Sequence, residues 1–529
     1  MVVVPELRPW RAAKPHVVRL AEAVRPRLAR AAAAAKPRLT RLARAVKPQV
    51  TKVARPKTWQ YTAGAATAGL ALTAGVVTAA GPWDSSGQRT AERDRAVALG
   101  RAGGTDHGRA PGAPGRPRPA PSAGPVLTGL GGVSTVKTVP DGKVLADALR
   151  PLLADPALGP RPAAAVMDVT TGRRLFGSGA GTGLTPASTT KIATAVAALS
   201  AMGPDHRLTT RAALEPDTGE VVLVGGGDPT LTAREKAGGS ASLRALASRT
   251  AAALADRGVR EATLSYDTTL YAGDEKHPIG DNPNLALVSP LMADEGRTND
   301  SQRGPAERVD DPAADAARRF GEFLTSYGIK TTAPGPSKAT TRAETLAAVS
   351  SPPLSALVER MLTNSDNDIA EALARQTAIA TGERADFAGA GEAIGSQLRG
   401  LGLPLKGAAF KDGSGLDRAD RLTPGLLTAL LAKAGDPSHP ELRPALTGLP
   451  VAGFTGTLAT RYHDGASGVV RAKTGTLSGV HTLAGTLVDE DGRLLAFAFM
   501  ASGTDPGAPT ASQRALDRIA TALAACGCR

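Results

Sequence analysis

Cysteine is nearly absent from this chain: Cys526 and Cys528, close to its end, are the only two. Nothing else is available to pair with them, so no cross-link ties distant segments together. Their C-x-C spacing fits a local or an intermolecular disulfide, and an inert tail is the simpler reading. Histidine is sparse too, and the seven present are scattered without metal-ligand spacing, which gives zinc hydrolysis no support. No G-x-S-x-G elbow occurs, and Gly413-Ser414-Gly415 does not substitute for one. Acidic residues are all but missing from residues 1–58, where 15 Lys and Arg face only Glu6 and Glu22. The rest of the chain carries 48 basic and 47 acidic residues, so the net charge of +14 belongs almost entirely to this arm. Charge of either sign is then absent between Lys57 and Asp84.

These absences sketch an organisation for a 529-residue chain, a length that implies more than one domain. The arm repeats a basic-Pro pair every 11 residues, at Lys14-Pro15, Arg25-Pro26, Lys36-Pro37 and Lys47-Pro48. Eleven residues are about three helical turns, so the arm reads as short basic helices broken at each proline. It would contact anionic lipid headgroups or stay a solvated tail that fixes membrane orientation, and nucleic acid is not the expected partner. The uncharged stretch, residues 59–83, is rich in Ala, Gly and Thr and long enough to span a bilayer. Trp59, Tyr61 and Trp83 suit its two interfaces. The expectation is a single-pass membrane protein with a cytoplasmic N-terminus and an extracytoplasmic catalytic domain. Cleavage near Thr78-Ala79-Ala80, giving a secreted protein, is the alternative. Residues 84–139 form a Pro/Gly-rich linker. The remainder divides into a main domain, residues 140–207 plus 346–529, and an insert, residues 208–345.

Three motifs stand in order in that remainder: Ser188-Thr189-Thr190-Lys191, Ser365-Asp366-Asn367 and Lys473-Thr474-Gly475. A serine hydroxyl is a poor nucleophile until a base takes its proton. Positions three apart share a helix face, so Lys191 Nζ can reach back to Ser188 Oγ. The run after Ser188 is apolar, with no Gly or Pro until Gly203, and Pro186 marks a turn before it. Ser188 therefore sits near a helix start, where N–H groups face a developing oxyanion. Burial and a second cation, Lys473, would both lower the Lys191 pKa and leave it neutral part of the time. Ser365 could relay a proton to the leaving group, and Asn367 could orient a substrate amide. Read plainly, the same triplet is a capping turn before a helix. Lys473 follows a strand that begins near Gly468, and the segments Thr482–Leu487 and Leu494–Met500 flank the turn Asp489–Gly492, a hairpin signature. A lysine and hydroxyls on such a strand suit a substrate carboxylate.

Together the motifs read as S-x-x-K, S-D-N and K-T-G, the triplet of penicillin-recognising serine enzymes. The chain resembles the D-alanyl-D-alanine carboxypeptidase/endopeptidase group, the class C low-molecular-mass penicillin-binding proteins of serine peptidase family S13. The segments Leu223–Leu231, Val288–Met292 and Asp412–Leu416, the last with Arg418 and Thr423 nearby, are similar to stretches of that group. The likeness covers roughly residues 140 to 520. A gap of 177 residues between Ser188 and Ser365, and the lack of an E-x-x-L-N pattern, disfavour a β-lactamase.

The resemblance implies an α/β (α+β) fold of the penicillin-binding/β-lactamase-like transpeptidase type. Its antiparallel sheet would be flanked by helices, with a domain inserted between the first and second motifs. It also implies catalytic Ser188, Lys191, Ser365, Asn367 and Lys473, a carboxylate site at Thr474, Gly475, Thr476 and Ser478, and an oxyanion held by the N–H groups of Ser188 and Thr476. The substrates would be peptidoglycan stem peptides, β-lactams would be covalent inhibitors, and neither metal nor cofactor is called for. The chain departs from the group at Asp417, usually a serine, in a short insert, and in having no tryptophan after Trp83. A catalytically weak, wall-binding scaffold of the same fold is the competing reading.

Overall fold

The computed structural model describes residues 142–462 and 465–526. The basic arm, the apolar segment at 59–83 and the linker lie outside the described residues. Among the described residues no helix is long and apolar enough to cross a membrane.

The chain enters through helix α1 (Gly142–Leu153) and a hairpin of β1 (Ala163–Asp168) and β2 (Arg174–Ser178), turning at Thr171-Gly172. Helix α2 (Thr190–Met202) follows and is buried along most of its length, as its unbroken apolar run requires. The second region then begins with β3 (Thr209–Leu214) and β4 (Val221–Val224), followed by α3 (Leu243–Asp256). It continues through β5 (Glu261–Ala262), β6 (Leu264–Asp267), α4 (Pro312–Ser326), β7 (Lys330–Thr331), β8 (Gly335–Pro336) and β9 (Glu344–Ser350). The chain returns through α5 (Leu354–Asn364), α6 (Asn367–Thr381), α7 (Phe387–Gly400), α8 (Pro424–Gly435) and the single turn α9 (Pro444–Thr447). It ends with β10 (Arg471–Leu477), β11 (Val480–Val488), β12 (Leu494–Ser502) and α10 (Pro509–Ala524).

Two five-stranded sheets organise these elements. The first has the order β10-β11-β12-β1-β2 and every neighbour in it is antiparallel. Side chains alternate across a strand, and β12 shows what this sheet does with both faces. Leu495, Phe497, Phe499 and Ala501 point to one side, into a core shared with Leu149 of α1 and Ile519 of α10. Ala496, Ala498 and Met500 point to the other, against α2, α5, α6, α7 and α8. Burial on both faces explains why β12 reads as a continuous apolar run rather than an alternating one. The antiparallel sheet flanked by helices matches the expectation from sequence.

The second sheet, β8-β6-β4-β3-β9, is mixed: β3 is antiparallel to β4 and β9, while β6 is parallel to β4 and β8. It has its own core, in which Leu246, Leu254, Phe320 and Leu324 of α3 and α4 pack on Leu223 and Leu264. Two segments singled out in the sequence, the glycine-rich Leu223–Leu231 and Val288–Met292, meet there. Gly227 N donates to Pro290 O at 2.7 Å, and a Cβ on Gly226 would collide with the Thr209 carbonyl. At the other end of the chain Cys526 is disulfide-bonded and packs half-buried on the core, which replaces the inert-tail reading; Cys528 lies outside the described residues.

Candidate active site

Ser188 sits in a single 3-10 turn, Ala187–Thr189, that runs directly into α2. The residue before it, Ala187, has φ of 48°, a left-handed conformation unusual for a residue with a side chain. Such outliers cost of order 1–3 kcal/mol and persist where surrounding contacts over-determine them. Here the contacts are plain. Thr189 Oγ1 and Thr482 Oγ1 both donate to Pro186 O, at 2.7 and 2.8 Å. A Cβ on Gly475 would strike Thr482 Oγ1 and the Pro186 carbonyl, and one on Gly415 would strike the Ala187 carbonyl. The glycine of K-T-G thus lets β10 lie against the serine turn.

Lys191, the second residue of α2 and one turn on from Ser188, is fully buried. Its Nζ lies 3.0 Å from Ser188 Oγ, 2.6 Å from Asn367 Oδ1 and 2.7 Å from the Ser414 carbonyl. Burial lowers its pKa to about 8, while the carboxylates of Asp412, Glu371, Asp366 and Asp368 pull the other way. Those four carboxylates were not anticipated from sequence, which had supplied only burial and Lys473. Lys473 is also fully buried, donates to the Thr474 carbonyl at 2.8 Å, and is held well below the usual lysine range by burial and by the Lys191 charge. Two lysines so placed titrate as a pair.

The S-D-N triplet spans the junction of α5 and α6. Ser365 takes a left-handed conformation (φ 59°, ψ 42°) that ends α5, and Asp366 caps α6 by accepting from Ile369 N at 3.1 Å. The capping reading of the triplet holds. The Asn367 amide joins the two regions: its Oδ1 accepts from Lys191 Nζ, and its Nδ2 donates to Asn284 O of the second region at 2.9 Å.

One cavity of about 370 Å³ is lined by Ser188, Ser365, Asn367, Thr474 and Thr476 together. Lys191 and Lys473 lie buried behind that surface. Thr474 Oγ1 bonds Thr457 Oγ1 at 2.9 Å, and Thr457 also lines the cavity. Ser478 falls in the turn after β10, where its carbonyl accepts from Arg418 Nη2 at 2.9 Å; it is not among the lining residues. The opposite wall comes from the second region: Asn282, Asn284, Arg297 and Arg303. None of these was legible as a site residue, because nothing local in their sequence marks them.

Two buried clusters flank the site. Glu295, Asp366 and Asp368 are near enough to share a cation, but Arg297, Arg360 and Arg308 already pair with them. His277, Glu371 and Asp412 are equally close, yet their acceptor atoms are taken by internal donors. Gly413 N and Ser414 N donate to Glu371, Gly415 N and Asp417 N to Asp412, and Ile279 N to His277 Nδ1. Neither cluster needs a metal to satisfy its charges. What the arrangement can do is deprotonate a serine in a cleft with hydroxyl donors on one wall.

Comparison with known proteins gives this geometry a family. The description of the D-Ala-D-Ala carboxypeptidase 3 (S13) family matches residues 145–307 and 298–523. The chain is 36% identical over 429 residues to Carboxypeptidase Rv3627c of Mycobacterium tuberculosis, spanning 78% of this chain and 90% of that one. It is 30% identical over 452 residues to the D-alanyl-D-alanine carboxypeptidase of Actinomadura sp., spanning 70% and 83%. The crystal structure of penicillin binding protein 4 (dacB) from Haemophilus influenzae superposes with a TM-score of 0.57 at 20% identity, over 71% of this chain and 99% of that one. That likeness confirms the penicillin-binding fold. By the extent of these matches, and with all three motifs assembled round one cleft, the chain belongs to the D-Ala-D-Ala carboxypeptidase 3 (S13) family.

Proposed function

We infer that this chain is a serine-type D-Ala-D-Ala carboxypeptidase that acts on peptidoglycan stem peptides through an acyl-enzyme on Ser188. The observation that carries this is Lys191: fully buried, and 3.0 Å from Ser188 Oγ at the floor of a cleft shared by all three motifs. Neutral Lys191 takes the Ser188 proton as Oγ attacks the carbonyl carbon of the terminal D-Ala–D-Ala bond. The N–H groups of Ser188 and Thr476 hold the oxyanion. Collapse breaks the C–N bond, and the leaving D-alanine takes a proton through Ser365 and Lys473. Water then attacks the ester and frees Ser188. The hydroxyls of Thr474 and Thr476 bind the substrate carboxylate, whose negative charge favours the protonated form of Lys473 beside it. Penicillin enters the same sequence and stops at the ester.

A second activity is supported by the wall that the second region adds to the cleft, where Asn282, Asn284 and Arg303 supply polar groups for a second peptide strand. Endopeptidase cleavage of a D-Ala–diaminopimelate crosslink would use it. Incubation with a muramyl pentapeptide and with a crosslinked dimer tests both readings. Free D-alanine from the pentapeptide is the expected result; binding without release would favour the scaffold reading instead.

The apolar segment at 59–83 supports a further proposal, a single-pass anchor with the basic arm on the cytoplasmic side against anionic lipid. Carbonate extraction of membranes carrying the full chain is expected to leave it in the pellet. Release into the supernatant would contradict the anchor.

A further inference from the structure

His277 lies in the second region, far in sequence from every motif, yet it ends three bonds away from the candidate base. It is 4% exposed, and its Nε2 lies 3.0 Å from Asp412 Oδ2. Ile279 N–H points at Nδ1 at 3.2 Å, and the edge of the ring meets Phe387 with centroids 5.1 Å apart. Only an unprotonated Nδ1 can accept from Ile279, so the hydrogen-bond network assigns the ring proton to Nε2, which donates to Asp412. The neighbouring carboxylates favour a second proton on this ring even though burial opposes it. Taking it up would set an Nδ1–H against the Ile279 N–H, a contact that opposes the second proton, and in either state Nε2–H donates to Asp412.

Asp412 is the hub that this bond steadies. Its carboxylate accepts from Gly415 N at 2.6 Å and from Asp417 N at 2.7 Å, while Glu371 accepts from Gly413 N and Ser414 N. The turn is thus gripped from both sides, and its Ser414 carbonyl is what faces Lys191 Nζ at 2.7 Å. We propose that His277 is a positioning residue for the Lys191 base: its bond to Asp412 fixes the Gly413–Gly415 turn and, through the Ser414 carbonyl, the placement of Nζ against Ser188. This rests on the reading of Ser188 as nucleophile and Lys191 as its base.

The effect is electrostatic as well as geometric. Asp412 is foremost among the carboxylates that favour a charged Lys191, with Glu371, Asp366 and Asp368 behind it, and Lys473 is the facing cation. The groups facing His277 are Asp412, Glu371 and Asp417. A donor on Asp412 draws its charge away from Lys191. Without that donor the ammonium form gains, and more alkali is needed to free the base.

The test is the rate of covalent labelling by a fluorescent penicillin, measured on the full chain across pH for His277→Asn and His277→Gln. A glutamine amide nitrogen reaches the position of Nε2, whereas an asparagine stops one bond short. His277→Asn is expected to label about 10- to 100-fold more slowly, the scale set by a small misplacement of a catalytic group, with its acid limb displaced to higher pH. His277→Gln is expected to stay within about threefold of the unaltered chain, with the limb in place. Wild-type labelling by the Asn variant with an unmoved limb would overturn the proposal. So would equal slowing of both variants with an unmoved limb, the mark of a purely structural loss. Nitrogen-15 NMR of the unaltered chain tests the bond whether or not the variants fold. A proton on Nε2 and a bare Nδ1 at neutral pH are expected, and the reverse tautomer overturns the proposal. Should the unaltered chain take no penicillin at all, the Ser188 reading fails, while the tautomer still decides whether His277 donates to Asp412.

Discussion

Replacing Ser188 with alanine is expected to abolish covalent labelling by fluorescent penicillin and to lower D-alanine release by about 10⁶-fold, the scale seen when a nucleophile is removed from a concerted group. The loss should be in the chemistry alone. Ser188 lies in a turn fixed by Thr189, Thr482 and two close-packed glycines rather than by its own hydroxyl. Non-covalent binding of a stem peptide should survive, because Thr474 and Thr476 are untouched. Circular dichroism and the denaturant midpoint should match those of the unaltered chain. Persistent labelling of the alanine variant would remove Ser188 from the mechanism.

The second large effect belongs to Lys191. Substitution by methionine keeps the side chain as far as Cε but removes the base, and acylation is expected to fall by about 10²- to 10⁴-fold. Unlike the serine change, this one should also cost stability. Asn367 Oδ1 and the Ser414 carbonyl would lose their buried donor, at roughly 1–3 kcal/mol for an unsatisfied group. In the unaltered chain the same residue sets a pH dependence whose sign can be worked out. Lysine is a base only when neutral, and Lys191 has a pKa of about 8, so the free base is the minor form below that pH. The acylation rate should therefore climb by up to tenfold per unit as pH rises toward 8 and flatten above it. A rate that is flat or falling over that interval would contradict Lys191 as the base.

Much of this site could be read from sequence because its chemistry is local. Ser188 and Lys191 share one helix face, Ser365 to Asn367 are consecutive, and β10 announces itself by the hairpin it belongs to. The antiparallel sheet was legible for the same reason: β11 and β12 are long strands, the second an apolar run, joined by the turn Asp489–Gly492. What stayed hidden depends on contacts across long stretches of chain. Asn367 meets Asn284 across 83 residues, and Asp412 meets His277 across 135. No spacing rule connects such pairs. The Lys191 pKa shows the consequence, since sequence offered burial and one lysine as causes while the fold adds four carboxylates that oppose them. Ser478, which the resemblance placed at the carboxylate site, lies in the turn after β10, where its carbonyl accepts from Arg418, while Thr474 and Thr476 line the cleft. The mixed strand order of the second sheet was equally out of reach, since β8 is two residues long and β4 and β6 four each, too short to carry a periodicity.

The carboxylate–arginine cluster beside S-D-N joins the two regions at the site. Arg308 bridges to Asp368, and Arg360 pairs with both Glu295 and Asp366, so residues of the second region hold the start of α6. Burial and its acidic neighbours raise Glu295 to about 8. The second region is thus more than a wall of the cleft; it is part of what keeps Ser365 and Asn367 in register with Lys191.

The central claim is that Ser188 becomes the acyl-enzyme, and peptide mapping by mass spectrometry after brief exposure to penicillin tests it most directly. The adduct should appear, at one per chain, on the peptide that contains Ser188 and on that residue within it. An adduct on Ser365, on Ser414 or on any other residue, or no adduct at all, would contradict the account.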